Sequence, residues 1–299
     1  MPELKRIGAL SVLVLVGTVL VATGRQPRPT FTPEQDARLQ IREVTDGLYV
    51  IPGFDGAQSG GNVAVRVTDE GVIIVDNKFP YSFDFITEQV RSVTNQPIKY
   101  VMNTHHHGDH AGSNADFMPA AEVIAHRNAR ENIVRNNQTG APPITFTNQT
   151  AVFLGDAEVQ AHHFGRGHTN GDSVIYFPDL HVIHTGDLFI YGDRLDGTTL
   201  APFWDFGNGG SATEWPSTLT GVLGLDFDTV IPGHGPILSK AEVRTFRNNM
   251  ETVIARVAAE SRGGATRETI AARVDTSYLG WPLAPIRLQN VFDELTGAR

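Results

Sequence analysis

The chain has 299 residues, 40% of them hydrophobic and 19% charged, which is ordinary globular composition with ample material for a core in one large domain or two modest ones. A formal charge of −9 with no basic tract argues against a surface built for phosphate backbones, so nucleic acid is not an expected partner. The lack of any cysteine removes disulfides, thiolate nucleophiles and thiolate metal sites together, without assigning a compartment.

At the N-terminus, Lys5 and Arg6 precede an apolar or small run from Ile7 to Gly24, and Ala22-Thr23-Gly24 places small residues where a signal peptidase reads. Residues 1–24 therefore read as a signal peptide or, since the run is near the lower limit for spanning, an uncleaved anchor. This predicts an exported protein, periplasmic or secreted, touching a membrane through no other segment. With no cysteine after the run, lipoprotein attachment is excluded.

Residues 25–42 are polar and carry Pro27, Pro29 and Pro33, the pattern of a linker. Strands are predicted at Leu48 to Ile51, Asn62 to Val67 and Val72 to Asp76, with Glu70-Gly71 as a turn. Helical spacing covers Phe83 to Val93, and Ile98 to Met102 is a strand that runs straight into Thr104-His105. Further strands are expected at Val152 to Leu154, Val159 to His163, Ser173 to Phe177 and His181 to Thr185. Ser211 to Leu223 reads as helix and Thr229 to Ile231 as a last strand. Ser239-Lys240-Ala241-Glu242 is a capping box that opens a long helix. Its stripe of Val243, Phe246, Met250, Val253, Ile254 and Val257 has helical period, and Gly263-Gly264 ends it before a short helical tail. The pattern gives two sheets packed face to face with flanking helices in a domain over residues 43–240, and a helical extension, residues 241–299, packed on it.

The stretch Asn103-Thr104-His105-His106-His107-Gly108-Asp109-His110 concentrates metal-ligand chemistry. Histidines two apart on a strand or loop point the same way, and Asp-His directly after them adds a second pair of donors. Imidazole and carboxylate are the groups that hold zinc or iron when thiolates are absent.

His105-x-His107-x-Asp109-His110 resembles the defining motif of the metallo-β-lactamase superfamily. Gly167-His168-Thr169-x-Gly171-Asp172, Thr185-Gly186-Asp187-Leu188-Phe189 and Pro232-Gly233-His234-Gly235 match its later motifs in order. The resemblance implies an αβ/βα sandwich with a two-metal site. His105, His107 and His168 would hold one ion, Asp109, His110 and His234 the other, and Asp187 would bridge them. The expected cofactors are two zinc ions, although the same donors accommodate iron or manganese. Asp76 resembles the aspartate that braces the histidine loop, and Asp172 reads as a carboxylate that orients its own loop. His106 is expected to face away from the ions. His126, His162, His163, His181 and His184 occupy no motif position and are expected to be structural.

The implied reaction is hydrolysis of a small-molecule ester, thioester, lactone or amide, a β-lactam included, by a water shared between the ions, with Asp109 orienting that nucleophile. One lactamase subgroup carries Cys where this chain has Asp187 and Lys three residues on; here that position is Ile190, so its usual carboxylate anchor is missing. A glycine-rich loop from Gly53 to Gly61 resembles the one that covers lactamase metals. The long segment Tyr191 to Trp215 offers Phe203, Trp204 and Phe206 as an apolar wall. The alternatives are an iron-dependent oxidoreductase of the same fold and a nuclease or phosphodiesterase, the latter disfavoured by the acidic charge.

Overall fold

The computed structural model describes residues 26–298. The basic and apolar segment read as an export signal lies outside them. Among the described residues no helix is long and apolar enough to cross a membrane.

From the N-terminal side, α1 (Pro33–Leu39) leads into strands β1 (Arg42–Thr45), β2 (Leu48–Ile51), β3 (Val63–Val67) and β4 (Val72–Val75), which form an antiparallel meander. Helix α2 (Phe83–Val93) then crosses to β5 (Ile98–Met102), the short α3 (Gly108–Ala111) and α4 (Asn114–Phe117) to β6 (Glu122–His126), and α5 (Arg127–Arg135) to β7 (Ile144–Phe146), each crossover adding a parallel strand. The second sheet holds β8 (Gln149–Leu154), β9 (Ala157–His162), β10 (Val174–Phe177) and β11 (Val182–His184); helix α6 (Trp215–Leu223) crosses to β12 (Thr229–Ile231), which pairs parallel to β11, and β13 (Leu238–Ser239) closes that edge. Helices α7 (Lys240–Arg262), α8 (Ile270–Arg273) and α9 (Pro285–Thr296) complete the chain.

Side chains alternate across a strand, so each sheet has two faces to bury. In the first sheet Ile73 and Val75 join Leu48, Val50 and Met102 against Val159, Ile175, Phe177 and Ile231 of the second sheet, the core between the two. Val72 and Ile74 turn outward with Val63 and Val65 onto Ile86 and Val90 of α2 and Phe117 of α4. The outer face of the second sheet, Val174, Ile183 and Val230, packs on Trp215 and Leu219 of α6, the α7 stripe, and Leu288 and Val291 of α9. These are the four layers of an αβ/βα sandwich.

The capping box at Ser239 and Glu242 does start α7, and five of the six stripe residues are buried, Ile254 being partly so. Two readings change. The stretch taken as a linker carries α1, opened by a capping box between Thr32 and Gln35, with Leu39 buried and the Ile41 amide donating to Gln89 of α2 at 2.6 Å. Helix α6 begins at Trp215, not Ser211. Pro216 stands in its first turn, where a missing amide costs nothing; a start at Ser211 would place that ring in the helix interior, against a preceding carbonyl.

Candidate metal centre

The chemistry-bearing residues leave the ends of neighbouring strands: Asp76 follows β4, His105 and His107 follow β5, Asp187 follows β11 and His234 follows β12. Parallel pairs β4–β5 and β11–β12 therefore open their carboxyl ends onto one crevice, the usual place for a site in such sheets. The loop between β9 and β10 brings His168.

Asp76, fully buried, ties the first loop down. Its Oδ1 accepts the Thr104 amide at 2.7 Å, and its Oδ2 accepts the Thr104 hydroxyl at 2.7 Å and faces His110 Nδ1 at 2.7 Å. Three contacts thus join Asp76 to the histidine loop. The approach of the motif loops is close enough to require glycine. A Cβ on Gly61 would stand 2.2 Å from His110 Cε1, and one on Gly233 would stand 2.0 Å from Asp187 Oδ1.

The seven residues named as ligands come together as two trios with a carboxylate between them. Donor atoms of His105, His107 and His168 lie within 4.8 Å of one another, as do those of Asp109, His110 and His234. In the first trio His168 Nε2 is 2.8 Å from His107 Nδ1. In the second, His234 Nε2 is 3.1 Å from Asp109 Oδ2 and 3.3 Å from His110 Nε2. Asp187 Oδ1 lies 3.1 Å from His110 Nε2 and 3.4 Å from His234 Nε2, while its Oδ2 is 3.6 Å from His168 Nε2.

The nitrogens that turn away from the cluster are mostly held. Asp205 Oδ2 meets His107 Nε2 at 2.9 Å, Thr104 Oγ1 meets His105 Nδ1 at 3.1 Å, and the Phe203 carbonyl accepts from His168 Nδ1. Such outer contacts select the tautomer and aim the remaining lone pair inward. His105 Nε2 is buried with no hydrogen-bond partner, an expensive arrangement for the protein alone and the one expected of an atom meant for a cation.

Charge follows the same division. Burial, reinforced by the surrounding imidazoles, holds His105 well below its ordinary range and lowers His168 to about 4, so these two rings are neutral. Burial also opposes the charged forms of His110 and His234, but Asp109 and Asp187 outweigh it, raising His110 well above its usual value and His234 to about 9. Against their own burial, Asp109 and Asp187 are in turn held low by those two histidines. Protons on His110 and His234 thus balance two carboxylates, positive charge that divalent ions would replace.

Asp172 orients its loop: both carboxylate oxygens accept the Thr169 amide, at 3.0 and 2.9 Å, and Oδ1 accepts the Thr169 hydroxyl at 2.5 Å; burial raises it to about 7. His106 stays out of both trios, but it is buried against His107, with ring centroids 4.4 Å apart. His126 stacks on His163 at 4.0 Å, and His184 takes the Gly186 amide at 3.1 Å on one nitrogen and contacts the Asn62 carbonyl at 3.1 Å with the other; both are scaffold. His162 meets Gln160 Oε1 at 2.8 Å, and exposed His181 lies beside Asp226.

A cavity of about 770 Å³ opens beside the cluster, lined by Phe79, Ile190, Leu200, Pro202, Phe203 and Pro282 among others. Only one of the three aromatics proposed for its wall serves there. Phe203 is 39% exposed, whereas Trp204 is 1% exposed and packs edge-on to Trp215, and Phe206 packs against the same core. A large indole gains more from burial in the helix layer than from facing a hydrated cleft. The Gly53–Gly61 loop does reach the site: Gly56 lines the cavity, and Asp55 Oδ1 organises the turn by accepting the amides of Ala57, Gln58 and Ser59.

Sequence reasoning missed four residues. Asp205 holds His107 from 98 positions away. Lys78, pushed down to about 7 by burial, donates to the carbonyls of Pro52, Ser59 and Gly61 and so pins the glycine-rich loop. Arg194 and Arg287 line the cavity, whose wall at Ile190 carries no cation. A basic residue inside the flagged 191–215 segment was a usable signal for Arg194; none existed for Arg287.

Fold and site together define a four-layer scaffold that presents paired histidine and carboxylate donors at its sheet ends. The chain belongs to the metallo-beta-lactamase superfamily, whose sequence profile matches residues 57–234. It is 29% identical over 227 residues to the 2,4-dinitroanisole O-demethylase subunit alpha of Nocardioides sp. (strain JS1661), covering 73% of this chain and 62% of that one, so less than two thirds of that relative's length is spanned. It is 27% identical over 189 residues to a metallo-beta-lactamase type 2 of Elizabethkingia meningoseptica, covering 62% of this chain and 72% of the relative. Among solved structures, the sec-alkylsulfatase Pisa1 from Pseudomonas sp. superposes with a TM-score of 0.70 at 17% identity, over 87% of this chain and 51% of that chain, a likeness of fold.

Proposed function

We propose that this chain is a dinuclear-metal hydrolase that cleaves an ester, thioester, lactone or amide bond in a small molecule. The observation that carries the reading is the placement of Asp187, with one oxygen toward His110 and His234 and the other toward His168. His105, His107 and His168 would hold one ion, Asp109, His110 and His234 the second, with Asp187 shared; zinc suits these donors. Two such ions would supply a water acidified toward neutral pH and a Lewis acid for the scissile group.

The chain's own residues do the rest. Asp109, with Oδ2 3.1 Å from His234 Nε2, is placed to accept a hydrogen bond from the attacking water and orient it. Asp76 and Asp205 hold the imidazoles still, so that little reorganisation is left for the reaction itself. Ile190, Leu200, Pro202 and Phe203 pack the substrate's apolar part and keep bulk water away. Completeness of the second trio favours hydrolysis over single-iron oxidative chemistry, which needs only one filled site. The two curated relatives bear names of hydrolytic and demethylating enzymes, and Ile190 weighs against a β-lactam as the preferred substrate.

Elemental analysis followed by assays of the zinc-loaded protein on nitrocefin, a thioester and a lactone tests the reading. Two zinc ions per chain are expected, with turnover of at least one substrate. His107→Ala and Asp187→Ala should abolish that turnover while far-UV circular dichroism is retained. A stoichiometric iron centre with visible bands, or full activity in either variant, overturns it.

A further inference from the structure

The cavity wall contains two carboxylates, Asp109 and Asp187, both part of the cluster, and two guanidinium groups, Arg194 and Arg287, that are not. Arg194 is engaged locally, with Nη1 donating to Thr198 Oγ1 and the Thr199 carbonyl, each at 3.3 Å. Arg287 is different. It projects from the first turn of α9, in the extension beyond the family's matched residues 57–234, and its guanidinium lies over the Phe203 ring, 4.4 Å from the centroid. Phe203 in turn stacks on His107, with centroids 6.3 Å apart and planes 25° from parallel. Imidazole, phenyl ring and guanidinium thus form a run of contacts that leads from the donor cluster to a cation.

Among the described residues that cation has no carboxylate of its own. Among the described residues no salt bridge to Arg287 is formed, and the two acids of α9 are committed elsewhere, Asp293 to Arg267 at 2.9 Å and Glu294 to the amides and hydroxyls of residues 211–213. Desolvation is strong enough to lower the Arg287 pKa. A half-buried guanidinium on an aromatic face, with its in-plane N–H groups left over, is a ready receptor for a planar oxyanion. Stacking on Phe203 alone would need only the face of the group and would leave its edge unused.

We infer that Arg287 is a specificity-determining residue that binds an anionic oxygen group, of the carboxylate type, on a substrate whose scissile bond lies at the donor cluster and whose apolar body spans Phe203. This deepens the hydrolase reading and rests on it. The C-terminal extension then has a function beyond packing, supplying the anion anchor that Ile190 does not.

The test uses the zinc-loaded full chain with a matched pair of esters, mono-4-nitrophenyl glutarate and neutral 4-nitrophenyl butyrate. Arg287→Gln should lower the glutarate-to-butyrate ratio of kcat/KM by about tenfold or more, mainly through KM, because a charge-assisted pair is lost for one substrate only. Arg287→Lys, which keeps the charge and loses the fork, should recover part of the ratio. A purely structural role would depress both esters together, and an unchanged ratio overturns the inference. If the wild type turns over neither ester, that counts against the hydrolase reading for these bonds, and the anion site is decided by binding. Tryptophan fluorescence titrations should show 4-phenylbutyrate binding more tightly than 4-phenylbutyramide to the wild type and that preference lost in Arg287→Gln; an equal preference in both proteins overturns it.

Discussion

Replacing Asp76 by Asn tests whether the cluster is built for cations, because the change is nearly isosteric but inverts one hydrogen bond. Asp76 has φ of 62°, a left-handed conformation that Asn also tolerates, so the backbone need not move. In the native protein Oδ2 accepts from His110 Nδ1 at 2.7 Å, which keeps one proton there, so the proton that a metal would displace is the one on Nε2, 3.1 Å from Asp187. An Asn amide directed at Nδ1 donates instead, forcing the proton of the neutral ring onto Nε2, the atom a metal needs. The flipped amide puts its N–H₂ against the Thr104 amide, which now reaches Oδ1 at 2.7 Å, donor against donor. With a metal on Nε2 either orientation leaves one buried pair unsatisfied, a loss of about 1–3 kcal/mol. Against a typical total of about 5–15 kcal/mol the fold survives. Zinc affinity should fall about 10–100-fold, the usual effect of removing a partner behind a metal-bound histidine. Chelator competition reads the affinity and a urea melt the stability. Native affinity for two zinc ions in Asp76→Asn would refute the reasoning.

Four further outcomes follow from contacts already described. In metal-free protein His234 is raised from 6.5 to about 9, so its contribution to stability is complete below pH 6.5 and is lost as pH rises through 9; melts in chelator should soften over that window. Zinc affinity should strengthen over the same range as the proton becomes easier to displace, and a pH-independent zinc affinity would contradict the paired charges described for the cluster. Glu294→Ala should cost about 2–3 kcal/mol in a denaturant melt, since four donors in residues 211–213 lose their acceptor; a change within error would show that the turn holds without α9. Lys78→Met should free the Gly53–Gly61 loop, raising KM more than it lowers kcat and exposing that loop to limited proteolysis, whereas native kinetics would remove Lys78 from the account.

The amino-acid sequence by itself determined which residues carry donors and which strands deliver them. His105 to His107, His168, Asp187 and His234 sit in segments after or between alternating strands, and Asp109 and His110 in the short α3 that follows directly, where local pattern and residue chemistry are both legible. The Ser239 capping box and the period of the α7 stripe were legible for the same reason, since cap and face are set within one or two turns. Tertiary structure alone decided the rest. Whether Trp204 or Phe203 faces the cavity depends on how the 190–214 segment lies over α6, and no period distinguishes neighbours in an irregular loop. The reach of Asp205 to His107 spans 98 positions, and Arg287 joins the cavity only because α9 docks on α7. Such pairings arise from side-chain packing between distant layers, and an interaction that depends on two remote segments leaves no trace in either one read alone.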